Sequence, residues 1–175
     1  MKKSNYRILG FLAAVMTIFM VSCQKEQIVG GTAVQSLAGE WWVKLDNGQD
    51  PTGTFDNSYY TLATYNLASN KPDSMWVDDY ANVSPGKPFW AIKGKVGVNV
   101  SNRTFSANNI ANQDYESTFT ITNGKIIPGA ATAPGSKVKT DSIYFEIQFS
   151  DDPVPGTIHK VGGYARTKWD ADDHY

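Results

Sequence analysis

The sequence predicts an all-β protein, a single antiparallel eight-stranded barrel behind an export leader. Three observations carry this. Residues 37–46 alternate, with Leu37, Gly39, Trp41, Val43 and Leu45 on one parity and Glu40, Lys44 and Asp46 on the other. That is the period of a strand with one buried and one wet face. After the leader no segment holds a helical period. Instead, about eight runs rich in aromatic and β-branched residues follow, punctuated by Gly, Pro, Asn and Asp at the spacing of a sandwich or barrel. No Cys…Trp…Cys framework supports an immunoglobulin-like sandwich, and a closed barrel leaves no exposed strand edge.

Taken in order, the chain begins with a positive stretch, Met1 to Arg7, then an apolar run from Ile8 to Val21 that is short for a spanning helix. Ser22-Cys23 ends it. The leader, the small residue and the only cysteine together resemble a bacterial lipobox, which implies a signal peptide over residues 1–22 and a lipid-modified Cys23. Gln24-Lys25-Glu26 resembles the export signal of surface lipoproteins of the Bacteroides group, although Gln27 stands where a second acid is expected. Residues 23–36 then read as a flexible tether, and residues 37–175 as the barrel domain. The location implied is the outer membrane by lipid anchor, leaning to the cell surface with the face left open.

The first strand, centred on Trp41, ends at Asp46-Asn47-Gly48, a tight-turn signal. Asp46, Asn47 and Asp50 do not match the spacing of a calcium loop. Residues 58–68 and 75–80 read as strands, and Ser84-Pro85-Gly86-Lys87-Pro88 as a loop. Residues 89–101 place Trp90, Ile92, Val96, Val98 and Val100 on one face, with Gly94 and Gly97 permitting bends. Residues 103–112 form a weaker strand. Asn123-Gly124, between two apolar runs, predicts a second hairpin, and residues 128–136 a loop. Residues 141–150 alternate cleanly, with Ile143, Phe145, Ile147 and Phe149 inward. Residues 157–169 form the last strand, and residues 170–175 a solvated acidic tail.

The full chain of 175 residues carries a formal charge of −1. Loss of Lys2, Lys3 and Arg7 with the leader makes the mature protein more acidic. No basic stripe exists, so nucleic acid is excluded as a partner.

Gly39-Glu40-Trp41 resembles the Gly-x-Trp signature of lipocalins and other calycin barrels. In those folds a basic residue near the end of the last strand packs over the tryptophan, which implies a barrel-closing pair of Trp41 with Arg166, or with Lys168 as second choice. From the lipobox to the Gly162-Gly163-Tyr164-Ala165-Arg166-Thr167 ending, the chain resembles the Bacteroides-group lipoproteins classed as lipid-binding putative hydrolases. That resemblance implies a calycin-like barrel and an apolar ligand.

Hydrolysis finds little support in the residues. There is no Gly-x-Ser-x-Gly elbow, Cys23 is committed to lipid, and only His159 and His174 offer imidazole. His159 reads as an ordinary strand histidine, and His174 as part of a mobile end. No metal site and no cofactor are expected: Asp170, Asp172, Asp173 and His174 read as a solvated tail. Asp78-Asp79 and Asp151-Asp152 are not paired-carboxylate sites by spacing. Tyr60, Trp76 and Trp90 are the candidate ligand contacts, and Trp42, on the outward parity, is a candidate surface patch. Ser74 and Ser142 follow aspartate in motifs resembling O-glycosylation sites of exported proteins. The reading is a non-catalytic, membrane-tethered protein that binds a small hydrophobic or amphipathic ligand. The alternative is an interaction subunit of an envelope assembly with a filled barrel and an envelope protein as partner, and the third reading is a hydrolase.

Overall fold

A computed structural model, which describes residues 31–46, 50, 53–79 and 86–174, gives a closed eight-stranded antiparallel barrel with no α-helix among those residues. The strands are β1 (Gly39–Leu45), β2 (Tyr60–Asn66), β3 (Ser74–Asp78), β4 (Lys93–Asn99), β5 (Thr104–Ala111), β6 (Thr118–Thr132), β7 (Lys139–Phe149) and β8 (His159–Ala165). Each pairs with the next in sequence, and β1 closes the ring by pairing with β8, Trp41 opposite Ala165 and Leu45 opposite Val161. The leader, Cys23 and most of the tether lie outside the described residues, as does the Asn47-Gly48 turn.

The parity expected of β1 holds. Trp41, Val43 and Leu45 point inward and join Leu62, Met75, Val77, Val96, Phe105, Phe119, Ile121, Ile143, Phe145, Ile147 and Val161 in one buried cluster. The barrel is therefore filled by its own side chains. An eight-stranded barrel is only wide enough to pack itself or to hold one small ligand, and the large residues on the inward positions choose packing.

Asn123-Gly124 does not turn the chain, contrary to the hairpin reading. β6 runs straight through it, with a shift of register between Thr122 and Lys125. Asn123 takes a positive φ of 54°, as Asn tolerates. A Cβ on Gly124 would lie 2.4 Å from the Phe105 carbonyl oxygen, so only glycine lets β5 approach there. The dipeptide that makes a hairpin turn makes a bulge here. The predicted 128–136 loop is also shorter than expected, because β6 continues to Thr132 past a second register shift.

The antiparallel order fixes two ends. At one, the chain comes in at Gly39 and leaves at Ala165, and the 67–73, 100–103 and 133–138 connections turn. A 3-10 turn at Gln35–Leu37 covers this end, with Val34 and Leu37 fully buried. The other end, called the mouth below, carries the two longest connections, 46–59 and 79–92, together with 112–117 and 150–158.

Candidate functional site

At the mouth, aromatic side chains from both long connections meet over the core. Phe55 comes from the first, Phe89 and Trp90 from the second, Tyr60 from the start of β2 and Phe149 from the end of β7. Trp90 stacks flat on Phe149, with ring centroids 4.1 Å apart and planes 3° from parallel. Phe55 leans on Trp90 at 5.6 Å and on Tyr60 at 6.1 Å. Geometries of this kind add about 0.5–1.5 kcal/mol per pair beyond burial. Outside this cap Tyr115, Val154 and Ile158 are exposed, the last by 58%. The cap therefore has an apolar rim.

Asp79 holds the second half of the cap in place. Its carboxylate accepts the backbone N–H groups of Phe89, Trp90 and Ala91 on Oδ2 and of Ile92 on Oδ1, at 2.6–3.1 Å. Burial pushes its carboxyl up to about 7, against the pull of those four donors. Residues 89–92 were expected to belong to a strand; this clamp makes them a closed loop instead.

Beneath Phe55 lies a polar cluster. His159, at the start of β8, is fully buried, and Phe55 meets its ring edge-on at 4.9 Å. Its Nδ1 lies 2.7 Å from Asp46 and its Nε2 2.8 Å from Asp152. Burial works to lower its pKa, but hydrogen bonds to the two carboxylates outweigh that and raise it. Both nitrogens then donate, and neither lone pair is free to take a proton. Asp50 Oδ1 stands 4.0 Å from Nδ1, so Asp46, Asp50 and His159 are grouped as the donor set of a cation would be. Asp46 also accepts from the Lys160 N–H, Asp50 from Phe55 and Asp152 from Val154, so backbone donors and the imidazolium share the charge. Among the described residues His159 bonds to no hydroxyl, which a serine-type hydrolase would require.

Of the candidate ligand contacts, Tyr60 and Trp90 come together in the cap. Trp76 stands apart on the outer face of β3, with Lys93 5.9 Å over its ring. Trp41 and Arg166 do not stack, because they fall on opposite faces. Trp41 points inward and donates to Thr64 Oγ1 at 2.9 Å, and Thr64 donates to the Leu37 carbonyl. Arg166 follows inward Ala165 and so points outward, where it lies 6.0 Å from the Trp42 ring.

Trp42 is not a surface patch. It faces outward as its parity requires, yet it is fully buried, because the C-terminal tail straps across it. Asp173 accepts from Trp42 Nε1 and grips Arg166 with two bonds of 2.6 Å, while Arg166 also reaches Glu40. His174 stacks on Tyr59 at 3.8 Å and meets Trp42 edge-on. Asp172, read in sequence as solvated, is fully buried and accepts from Gly135, Ser136 and Thr167. Asp172 and Asp173 are therefore fasteners, while Asp170 is exposed as expected. Ser74 is buried and bonded to Asp73, and Ser142 donates to the Gly163 carbonyl, so both hydroxyls are engaged.

The clamp at Asp79 and the bridging of His159 were missed in the sequence. The adjacent pairs Asp78-Asp79 and Asp151-Asp152 were visible, but what each carboxylate meets depends on long-range contacts. In both pairs one member is buried in the mouth, while the other bonds to side chains: Asp78, also buried, to Lys93 and Tyr65, and Asp151 to Tyr115 and to the Trp90 indole of the cap.

The fold and the capped mouth define a calycin-like barrel whose interior is sealed by its own residues. The chain belongs to the lipid-binding putative hydrolase family, whose sequence model matches residues 26–170. No curated protein matches it.

Proposed function

We propose that this protein is a lipid-anchored envelope protein that holds a small amphipathic molecule at the mouth of its barrel and does not transform it. The observation that carries this is the aromatic cap. Phe55, Phe89 and Trp90 come from long connections instead of the barrel wall, so they can part from Tyr60 and Phe149 without breaking a strand pair. Membership of a lipid-binding family supports an apolar guest, and the exposed rim of Tyr115, Val154 and Ile158 gives it a first contact. The paired imidazole of His159 supports a non-catalytic role. The lipobox-like Ser22-Cys23 supports an anchor, with the outer membrane as its site.

The barrel lies within a compact unit, Thr32–Tyr175. Residues 24–175, purified without detergent, can therefore be weighed by native mass spectrometry and then extracted with solvent. A stoichiometric amphiphile is the expected result. A mass that stays clean after incubation with mixed lipids overturns this reading in favour of a second one. That second reading is favoured by the filled interior: an interaction subunit that works through surface residues such as Ile127, Val138 and Trp169, exposed on the β6–β7 arm and beyond β8.

A further inference from the structure

Beside the mouth the molecule carries a cleft of 810 Å³ lined by Lys44, Asn57, Ser58, Tyr59, Lys87 and His174, among others. It shares a wall with the cap. Residues 55–60 send Phe55 and Tyr60 into the cap and Asn57, Ser58 and Tyr59 into the cleft. Lys87 stands 4.8 Å over the ring of Tyr60 while also lining the cleft. An amphiphile whose chain enters the cap through that wall would carry its head into the cleft.

The cleft's chemistry selects the head. Lys44 bonds to the neutral Asn57 oxygen at 2.7 Å and lies 4.6 Å over the Tyr59 ring. Among the described residues no carboxylate forms an ion pair with it. Lys87 shares Asp56 with the Tyr60 hydroxyl and the Ser58 N–H, so that carboxylate is already spread over three donors. Asp173, the acid in the lining, is committed to Arg166 and Trp42. Burial raises the Tyr59 phenol, so it remains a neutral donor, and Asn57 and Ser58 add further N–H and O–H groups. In a chain of net negative charge, this corner presents two ammonium groups and a set of neutral donors, as an anion requires.

From this juxtaposition we infer that the cleft of Lys44 and Lys87 is a head-group site for an anionic amphiphile, a carboxylate or phosphate ester with a single apolar chain held among the parted residues of the cap. The inference rests on the mouth reading above, and the test separates the two. Dodecyl phosphate, dodecanol and inorganic phosphate are titrated calorimetrically into residues 24–175, as wild type and as Lys44→Gln with Lys87→Gln. The expected result is dodecyl phosphate bound at least about tenfold tighter than dodecanol, with the double variant removing that preference and leaving dodecanol binding unchanged. One exposed, water-screened charge pair is worth little, whereas two charged hydrogen bonds in a cleft reach that factor.

Equal binding of the two amphiphiles by the wild type overturns the head-group site and leaves the mouth reading intact. Binding of neither overturns both. Inorganic phosphate bound as tightly as the ester, with dodecanol unbound, makes the cleft a free-anion site and likewise overturns both. A preference that survives the double variant places the head elsewhere and overturns the assignment to these lysines.

Discussion

At the scale of the residue, Asp79 does more for the mouth than any aromatic in it. Four backbone N–H groups of the second long connection end on one buried carboxylate. Removing it leaves those donors in a site that excludes water, and unsatisfied buried donors cost about 1–3 kcal/mol each before relaxation. Asp79→Ala should therefore lower stability by about 3 kcal/mol in urea unfolding and speed amide exchange at residues 89–92, with the far end of the barrel unaffected. Uniform exchange across the barrel would refute the clamp. The imidazole gives a second prediction. His159 holds its proton between two carboxylates, so its ring should titrate above 6.5 by NMR, and His159→Gln should destabilise by about 3 kcal/mol by stranding buried charge. A ring that titrates below 6.5 would mean the bridge is not charged. Neither role was legible in the sequence. An acid's partner is set by burial and chain crossing, and Asp78 and Asp79 look alike until one of them turns inward.

Among the elements, β1 and β7 were legible and the tail was not, for one reason. Where a strand has one buried and one wet face, the pattern of side chains states the fold, and Trp41, Val43, Ile143 and Phe145 do so. The tail breaks that link, because its buried face is polar: Asp172 and Asp173 are satisfied by hydrogen bonds, and composition alone reads them as solvated. Trp42 fell between the two. Its outward parity was readable, but what covers it was not. The strap makes a prediction of its own. Deleting residues 170–175 should uncover Trp42, raise its quenching by acrylamide and cost about 2–3 kcal/mol, the worth of one large apolar side chain. Gly86 lies under the same indole, where a Cβ would come within 2.5 Å of its ring and 2.4 Å of Thr61. Gly86→Ala should cost about 1–3 kcal/mol by overpacking alone. An unchanged urea midpoint in both variants would mean that the outer layer contributes nothing.

For the whole molecule, the ionisable groups set a stability optimum on the acidic side of neutrality. Asp56, Asp172 and Asp173 are held below the usual carboxylate value, Asp56 first by its bond from Tyr60 and Asp173 first by Arg166; Asp172 is held low by Ser136 and Thr167 against burial. Their contribution is present above 3.8 and is lost as the pH falls through their lowered values. Asp79 and His159 are shifted up, so their contribution is present at low pH. Asp79's fades from 3.8 through about 7, and His159's is lost above 6.5. Urea midpoints measured across the range should therefore peak between 3.8 and 6.5 and decline toward alkaline pH; a peak above neutrality would reverse these assignments. The ring itself has a further consequence, for the order in which the protein can be made. Every strand pairs with its sequence neighbour except at the seam, where residues 41–45 must wait for residues 161–165. Until β8 emerges, β1 and β7 are open edges and the polypeptide has no sealed interior. Contacts so distant in sequence form slowly. A chain still being threaded through a pore thus cannot lock early, and it becomes a barrel only after its final segment has been released.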